Sequence, residues 1–290
     1  MDLGGTWFRV LFFRLNGRGG VEFAAAPHVQ AIPKAIMLGH GIQFFDFIVL
    51  AIDTMLNRLE SEGQISNDGE TKRDFPMGFT FSFPCRNTAI DQAILARWTK
   101  GFACEGVAGN DVVKMLHEAR DRKKDMKFNF HCSCLINDTV GCLTSLALSK
   151  PNTRVGVIYG TGTNACFPEP IENISTLGDD FDRTQDPNAP KRKMLINTEW
   201  GGFGSVSHSL DDVRNTYDQQ LDRESLNRGD QLYEKMISGM YMGEILRLLL
   251  VDLVKLGLLL PDVHDHESLA RSELFQKNQL HTKYLSEIEK

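Results

Sequence analysis

The residues with the most chemical content open the chain, in Asp2-Leu3-Gly4-Gly5-Thr6-Trp7-Phe8-Arg9. An acid, two glycines and a threonine lead at once into Val10-Leu11-Phe12-Phe13, the pattern of a tight turn feeding a buried strand over Val10–Leu15. Paired glycines let backbone N–H groups approach an anion closely, Thr6 adds a hydroxyl donor, and Asp2 can hold a cation beside that anion. The segment reads as a phosphate-and-metal turn. Alone it is weak evidence, because Gly-Gly turns ahead of strands are common and most bind nothing.

Further segments have a chemical and a plain reading side by side. Asn137-Asp138-Thr139 follows an apolar strand over Phe128–Ile136 and precedes a helix over Val140–Leu148. All three residue types cap helices well. An Asp at a strand's end can equally remove a hydroxyl proton in a transition state, an effect of ~10²–10⁴ in rate. Gly160-Thr161-Gly162-Thr163-Asn164-Ala165 satisfies the loose dinucleotide pattern G-x-G-x-x-A. That pattern needs a helix to begin at the glycines, and Pro168 and Pro170 follow too soon. The segment therefore looks like a second glycine hairpin able to cradle phosphate. Leu195–Gly204 places Glu199 between an apolar strand and a glycine-rich turn, and Glu234 begins a long amphipathic helix. Carboxylates accept charge-assisted hydrogen bonds from hydroxyl groups, which suits a polyol, while a surface ion pair is an equal reading for Glu234. Thr99-Lys100 supplies a hydroxyl and a cation, or an ordinary surface pair.

The elements that must position these residues alternate between β and α. Gln43–Leu59 repeats apolar residues at helical spacing, Phe75–Phe83 alternates as a strand, and Asp111–Arg122 is a charged helix. Gly69–Asp74 reads as a charged turn, Val155–Tyr159 as a short buried strand and Asn173–Arg192 as a polar loop. Gln231–Leu260 is one long helix or two joined near Gly239. Alternation of this kind favours an α/β fold. With 290 residues there is room for two lobes or one large domain. A net charge of −6 argues against a dedicated binder of nucleic acid or anionic membrane. Within Ile245–Leu260 and its flank, Glu244, Arg247, Asp252 and Lys255 share one helical face, so an amphipathic helix is expected there and no membrane span. No leader is expected at residues 1–9. The six cysteines sit among apolar residues and are expected to be reduced and buried, with no metal site at zinc spacing.

Taken together, the segments resemble the eukaryotic hexokinases (hexokinase/glucokinase). Asp2–Arg9 looks like their first phosphate motif, and Phe81-Ser82-Phe83-Pro84-Cys85 with Trp98-Thr99-Lys100-Gly101-Phe102 like their sugar-binding segment. Ile136–Gly141 is similar to the motif carrying the catalytic Asp, and Gly160–Cys166 to the second phosphate turn. Asn197–Gly201 and Leu232–Tyr241 complete the set, and similarity continues to Thr282–Glu289. Six motifs in order are far more specific than any one. The resemblance implies an α/β, two-lobed actin-like ATPase (ribonuclease H-like) sugar kinase fold. Residues 1–136 would form most of the small lobe and 137–290 an incomplete large lobe. It implies transfer of the ATP γ-phosphoryl, with Mg²⁺, to the 6-hydroxyl of glucose, or of fructose or mannose in its place, as the first step of glycolysis in the cytoplasm. On this reading Asp138 is the base and Lys100 assists it. Ser82, Phe83, Thr99, Lys100, Asn137, Asp138, Asn164, Glu199 and Glu234 hold the sugar. Asp2, Leu3, Gly4, Gly5, Thr6, Trp7, Arg9, Thr161, Gly239 and Met240 line the nucleotide.

Departures from the pattern set competing expectations. Trp7 stands where the family usually has Asn, Ser205 where Asp is usual, and Arg86-Asn87 in place of a Gln-rich pair. Family catalytic units are roughly half as long again. The resemblance thus implies a chain truncated at both ends, lacking the adenosine motif, folding poorly alone and holding sugar better than nucleotide. A non-catalytic hexose-binding relative, or an inactive fragment, is the second reading. A dinucleotide-dependent oxidoreductase is the third.

Overall fold

A computed structural model describes residues 1–5, 7–17, 20–67, 71–177, 191–261 and 271–288. The chain opens with β1 (Asp2–Leu3), β2 (Trp7–Val10), β3 (Phe13–Leu15), β4 (Val21–Phe23) and β5 (His28–Ala31). There follow α1 (Lys34–Met37), α2 (Gly41–Ser61), β6 (Asp74–Phe81), β7 (Cys85–Ala89), β8 (Gln92–Leu95) and α3 (Val112–Arg122). Next come β9 (Asn129–Ile136), α4 (Asp138–Ser149), β10 (Gly156–Tyr159), β11 (Thr163–Pro170) and β12 (Lys193–Asn197). The last elements are α5 (Thr216–Arg223), α6 (Leu232–Ile237), α7 (Met242–Lys255) and α8 (Lys283–Ile288). Packing divides the chain into two compact units, 1–157 with 166–197, and 158–165 with 198–290. These units do not follow the expected cut at 136/137, because α4 packs on β6 and β12 and so stays with the first.

The first unit is built on a mixed sheet in the order β5-β2-β1-β6-β9. β1 runs antiparallel to β2 and parallel to β6, and β6 runs parallel to β9. Helix α2 forms because apolar residues fall on one face: Phe44, Phe45, Ile48, Ile52, Met55, Leu56 and Leu59 are all buried. Its first turn is capped by the His40 ring, which accepts the Ile42 N–H at 3.2 Å. Asp111 caps α3 more firmly, its carboxylate accepting from Val113 and Lys114. The core between sheet and helices is rich in phenylalanine: Phe8, Phe44, Phe45, Phe79, Phe81, Phe83, Phe128 and Phe130 are fully enclosed. Trp98 joins them, stacked on Phe102 and edge-on to Phe44 and Phe83.

Several expectations are corrected. The strand placed over Val10–Leu15 is two strands, because β2 stops with its partner His28 and Phe13 then pairs with Phe23 in a separate hairpin. Val155–Tyr159 is not buried; Val157 and Tyr159 are exposed on β10, an edge of the sheet β10-β11-β12. The charged face of α7 is a solvent face only in part: Glu244 and Arg247 are buried against each other, while Asp252 is half-buried and Lys255 exposed. Of the cysteines, Cys104, Cys132 and Cys166 are buried, Cys85 and Cys134 half-buried and Cys142 exposed, all as free thiols. Burial pushes the Cys104 thiol up to about 11 and that of Cys132 up to about 12, so neither offers a thiolate. The helical stretch from Gln231 is two helices, α6 and α7, broken at 238–241. No helix among the described residues is long and apolar enough to cross a membrane. Thr6, most of the loop expected at 173–192, residues 69–70 of the charged turn and Glu289 lie outside the described residues.

Candidate functional site

Three parallel strands of the first unit end level with one another. Leu3 of β1 pairs with Phe81 of β6, and Thr80 of β6 with Ile136 of β9. The residues that follow those ends are Gly4-Gly5, Ser82-Phe83 and Asn137-Asp138, three of the segments singled out by type. The carboxyl edge of an α/β sheet is where ligands bind, because loops there leave main-chain and side-chain groups unpaired by the ladder. One register thus gathers the first turn, the serine segment and the aspartate on one edge.

Asp138 is half-buried at the first position of α4. Its Oδ1 accepts the Thr139 N–H at 2.9 Å, and its Oδ2 has no hydrogen-bond partner among the described residues. Capping falls to Asn137 instead, whose Oδ1 accepts from Thr139 N (3.0 Å) and Thr139 Oγ1 (2.7 Å). Asn137 thus ends the strand and starts the helix, the capping reading, while Asp138 keeps one carboxylate oxygen without a partner among the described residues. Ser82 is buried, and its Oγ has no partner among the described residues. Lys100 Nζ donates to the Ser82 carbonyl at 2.7 Å and lies 5.6 Å from the Phe83 ring centre. Lys100 has a φ of 55°, a left-handed conformation costly for a side chain of this size, and Gly101 follows it there at 80°. That turn keeps the ammonium on the serine segment. Thr99 is buried beside it.

Other residues of the first unit have structural work. Leu3 and Phe83 are enclosed in the core, so only their main chain can meet a ligand. The Gly4 N–H donates to the Trp7 carbonyl at 3.2 Å, which closes the first turn. Trp7 itself is 45% exposed. Asp2 is not an open carboxylate, because Arg9 pairs with it at 2.9 Å across β1 and β2. A cavity of about 800 Å³ in this unit is mainly apolar, lined by residues such as Phe12, Ile52, Met55, Phe75 and Met77. Of the expected site residues it touches Asp2 alone, so the chemistry does not lie there.

The second unit gathers the remaining residues around the turn 160–164. Gly160 N–H bonds to the Gly162 carbonyl, and β11 follows directly. No helix starts at these glycines, which removes the dinucleotide reading. The broken helix packs on this turn: Gly239 N–H donates to Gly160 O (2.8 Å) and Met240 N–H to Thr161 O (3.1 Å). A Cβ on Gly239 would stand 2.9 Å from Gly160 O, so only glycine allows the approach. Glu234 is not a surface residue. It is 3% exposed, and its Oε2 accepts the Thr163 N–H at 2.9 Å. Asn164 Nδ2 donates to Glu199 Oε1 at 3.1 Å, while its Oδ1 accepts its neighbour's N–H. Glu199 itself is left-handed at φ 49°. Sequence reasoning missed Gln231. This residue is buried, left-handed at φ 55°, and its amide nitrogen has no hydrogen-bond partner among the described residues. A Cβ on Gly201 would come within 2.5 Å of Gln231 Oε1 and 3.2 Å of the Thr163 carbonyl, so a larger residue there would displace the buried amide. The available signal was its position three residues before Glu234, a helical neighbour.

No group of three or more acidic, His or Cys residues able to hold a metal occurs among the described residues. Nothing stands within 4 Å of where a Cβ on Gly160 would be, so a phosphate chain bringing its own cation has room to approach that turn, whose Gly160 N–H is itself held by the Gly162 carbonyl.

Two family profiles described as Hexokinase match residues 1–148 and 154–290. Hexokinase-2 of Homo sapiens is 39% identical over 289 residues, and Hexokinase HKDC1 of Mus musculus 41% over 289. Both alignments cover all of this chain and 28% of the relative, so the chain spans little more than a quarter of those proteins. Among solved structures, a hexokinase from Schistosoma mansoni complexed with glucose matches with a TM-score of 0.78 and 37% identity, over 99% of this chain and 58% of that one. A second hexokinase crystal structure matches at 0.56 and 30% identity. The fold is therefore the α/β actin-like fold of the sugar kinases, represented in part, and the chain belongs to the hexokinase family.

Proposed function

We propose that the protein transfers the γ-phosphoryl of ATP to the 6-hydroxyl of glucose or a related hexose, with Asp138 as the base. The observation that carries the reading is the free Oδ2 of Asp138 on the edge shared with Ser82 and Lys100. Phosphoryl transfer asks mainly for positioning and charge neutralisation, and the cation that accompanies ATP supplies the latter. Asp138 accepts the hydroxyl proton as the oxygen attacks, while Asn137 holds the start of α4 still. Lys100, pinned by Ser82 O, keeps a positive charge beside that carboxylate's edge. Ser82, Thr99, Asn164, Glu199 and Glu234 are the side chains assigned to the sugar, since hydroxyl, amide and carboxylate groups hydrogen-bond well to sugar hydroxyls. Gly4, Gly5, Thr6, Thr161, Gly239 and Met240 are assigned to the phosphates; the N–H groups of Gly4, Gly239 and Met240 serve the carbonyls of Trp7, Gly160 and Thr161, so these three shape the turns that the phosphates would meet. Cytoplasmic residence and entry of the product into glycolysis go with this reading, and cell fractionation checks the first.

The test is sugar-phosphate formation with Mg-ATP by wild type and Asp138→Asn, alongside glucose titration of Trp fluorescence. Turnover reduced about 10²–10⁴-fold with binding kept supports the assignment. Equal turnover by both proteins removes Asp138 from the chemistry. A second reading, a hexose-binding relative without catalysis, is favoured by the Asp2–Arg9 pair, which occupies the first turn's carboxylate. Saturable glucose binding with no turnover in wild type would establish it.

A further inference from the structure

Away from these residues, the second unit has a polar cleft of about 430 Å³ lined by Asp211, Arg214, Gln219, Asp222, Arg223 and Arg228. Its floor is a nearly buried ionic cluster. Asp222 accepts from Lys235 Nζ at 2.7 Å and from the Gly229 N–H at 3.0 Å, and Arg214 lies 3.5 Å from its other oxygen. The Lys235 side chain is 2% exposed and that of Arg214 13%, so one carboxylate serves two cations shielded from water. Arg223, the last residue of α5, and Arg228 stand exposed at the rim and make no ion pair or hydrogen bond among the described residues. Asp211 is the other carboxylate of the cleft, with His208 at 3.3 Å as its neighbour. The lining and its buried lysine thus carry an excess of two positive charges, in a chain whose net charge is −6.

We propose that this cleft binds a phosphoryl group, free or on a small ester. A dianion balances the local excess, and guanidinium forks match the tetrahedral oxygens of phosphate in pairs. The polar lining excludes a ligand held by apolar contact. The volume exceeds that of a lone phosphate, which leaves room for the body of an ester. Arg214, fixed by Asp222, is the preorganised donor, and the two rim arginines close on the ligand from solvent.

The experiment is calorimetric titration of the full chain with inorganic phosphate and, separately, with glycerol 3-phosphate, at constant ionic strength set by chloride. The double variant Arg223→Ala/Arg228→Ala is compared, its fold verified by circular dichroism; both side chains are exposed, so the fold is expected to survive. Saturable binding of either probe, weakened tenfold or more in the double variant, supports the site. Binding of phosphate alone identifies the free ion as the ligand, and binding of both identifies the phosphoryl group in general. Binding of equal strength in the variant places the anion elsewhere, for instance on the glycine turns, and overturns the proposal. No saturable binding of either probe at ~10 mM overturns it as well. The readout does not depend on kinase activity, so loss of the hexokinase reading would leave it standing.

Discussion

The two units are held together by different kinds of contact. The first rests on one continuous apolar core, from Leu3 and Phe8 through α2 and α3 to Phe130 and Leu135. In the second, the apolar cluster among the described residues is small: Leu221, Tyr241 and Leu248, with Tyr217 and Ile245 against them. Its interior is instead polar, with Asp222, Gln231, Glu234, Lys235, Glu244 and Arg247 all buried. Apolar burial is non-directional, so neighbours can adjust to a small change. A buried ion pair is directional, and each member depends on the other being present. The first unit should therefore lose stability by degrees and the second by single steps.

Truncation of the core gives the largest effects. Phe44→Ala removes a fully enclosed ring that contacts Phe45, Trp98 and Phe102, and should cost about 3–5 kcal/mol in denaturant unfolding of the first unit. Glu244→Ala should cost the second unit about as much, ~3–5 kcal/mol, by a different route. It leaves the Arg247 guanidinium buried without the carboxylate that binds it at 2.7 and 2.8 Å. The double variant Glu244→Met/Arg247→Leu separates the two causes, since replacing both partners is expected to be near neutral. A double variant as unstable as the single one would mean the contact matters for shape and not for charge.

That ion pair also marks the limit of what was legible. Helical angles place Glu244, Arg247, Asp252 and Lys255 on one face, and from sequence a charged face reads as a wet one. The structure lays the segment 274–278 over part of it, where Arg247 donates to Leu274 O and the Asn278 N–H to Glu244. Spacing within one helix cannot reveal a strap thirty residues on. The same holds for β10, whose apolar Val157 and Tyr159 promised burial but occupy a sheet edge. What was legible was local. Asp111 announced its helix by capping, Asn137-Asp138 its strand-to-helix junction, and Gly239 the break between α6 and α7. Candidate site residues were singled out where they lie in glycine-bearing or acidic motifs. Gln231, a lone amide in a polar stretch, was found only once its burial and its contact with Gly201 were known.

Acid should part the units by a smaller margin. Burial alone would raise the Asp222 carboxyl, but the Lys235 hydrogen bond, the Gly229 N–H and the charges of Lys235 and Arg214 outweigh it and hold the group below its ordinary value. A carboxyl lowered by folding stabilises the native state above its unfolded pKa of about 3.9, and that contribution is lost as pH falls through the folded value. The second unit is therefore expected to unfold first on acidification below about pH 4. Trp200 reports on the second unit and Trp98 on the first, each read with the other tryptophans replaced by Phe. Coincident acid transitions would show that the polar interior is not what sets the second unit's tolerance.

The smallest expected effect is at the helix caps, where the units carry the same device. Asn215 forms a reciprocal capping box on α5, accepting from Tyr217 and Asp218 while Asp218 accepts the Asn215 N–H. Asp111 caps α3 through the same kind of side-chain bond. Either residue changed to Ala should cost about 1 kcal/mol, since one or two orphan N–H groups are lost in each case. The consequence should differ. Helix α3 buries Val112, Val113, Leu116 and Ala119 in the large core, whereas α5 buries one apolar residue, Leu221, beside Asp218 and Asp222. Losing the cap should then let α5 open locally while α3 stays shut. Amide hydrogen exchange would show it as faster exchange across α5 in Asn215→Ala than across α3 in Asp111→Ala. Equal exchange in the two would mean that the ionic cluster around Asp222 holds its helix as firmly as the phenylalanine core holds the other.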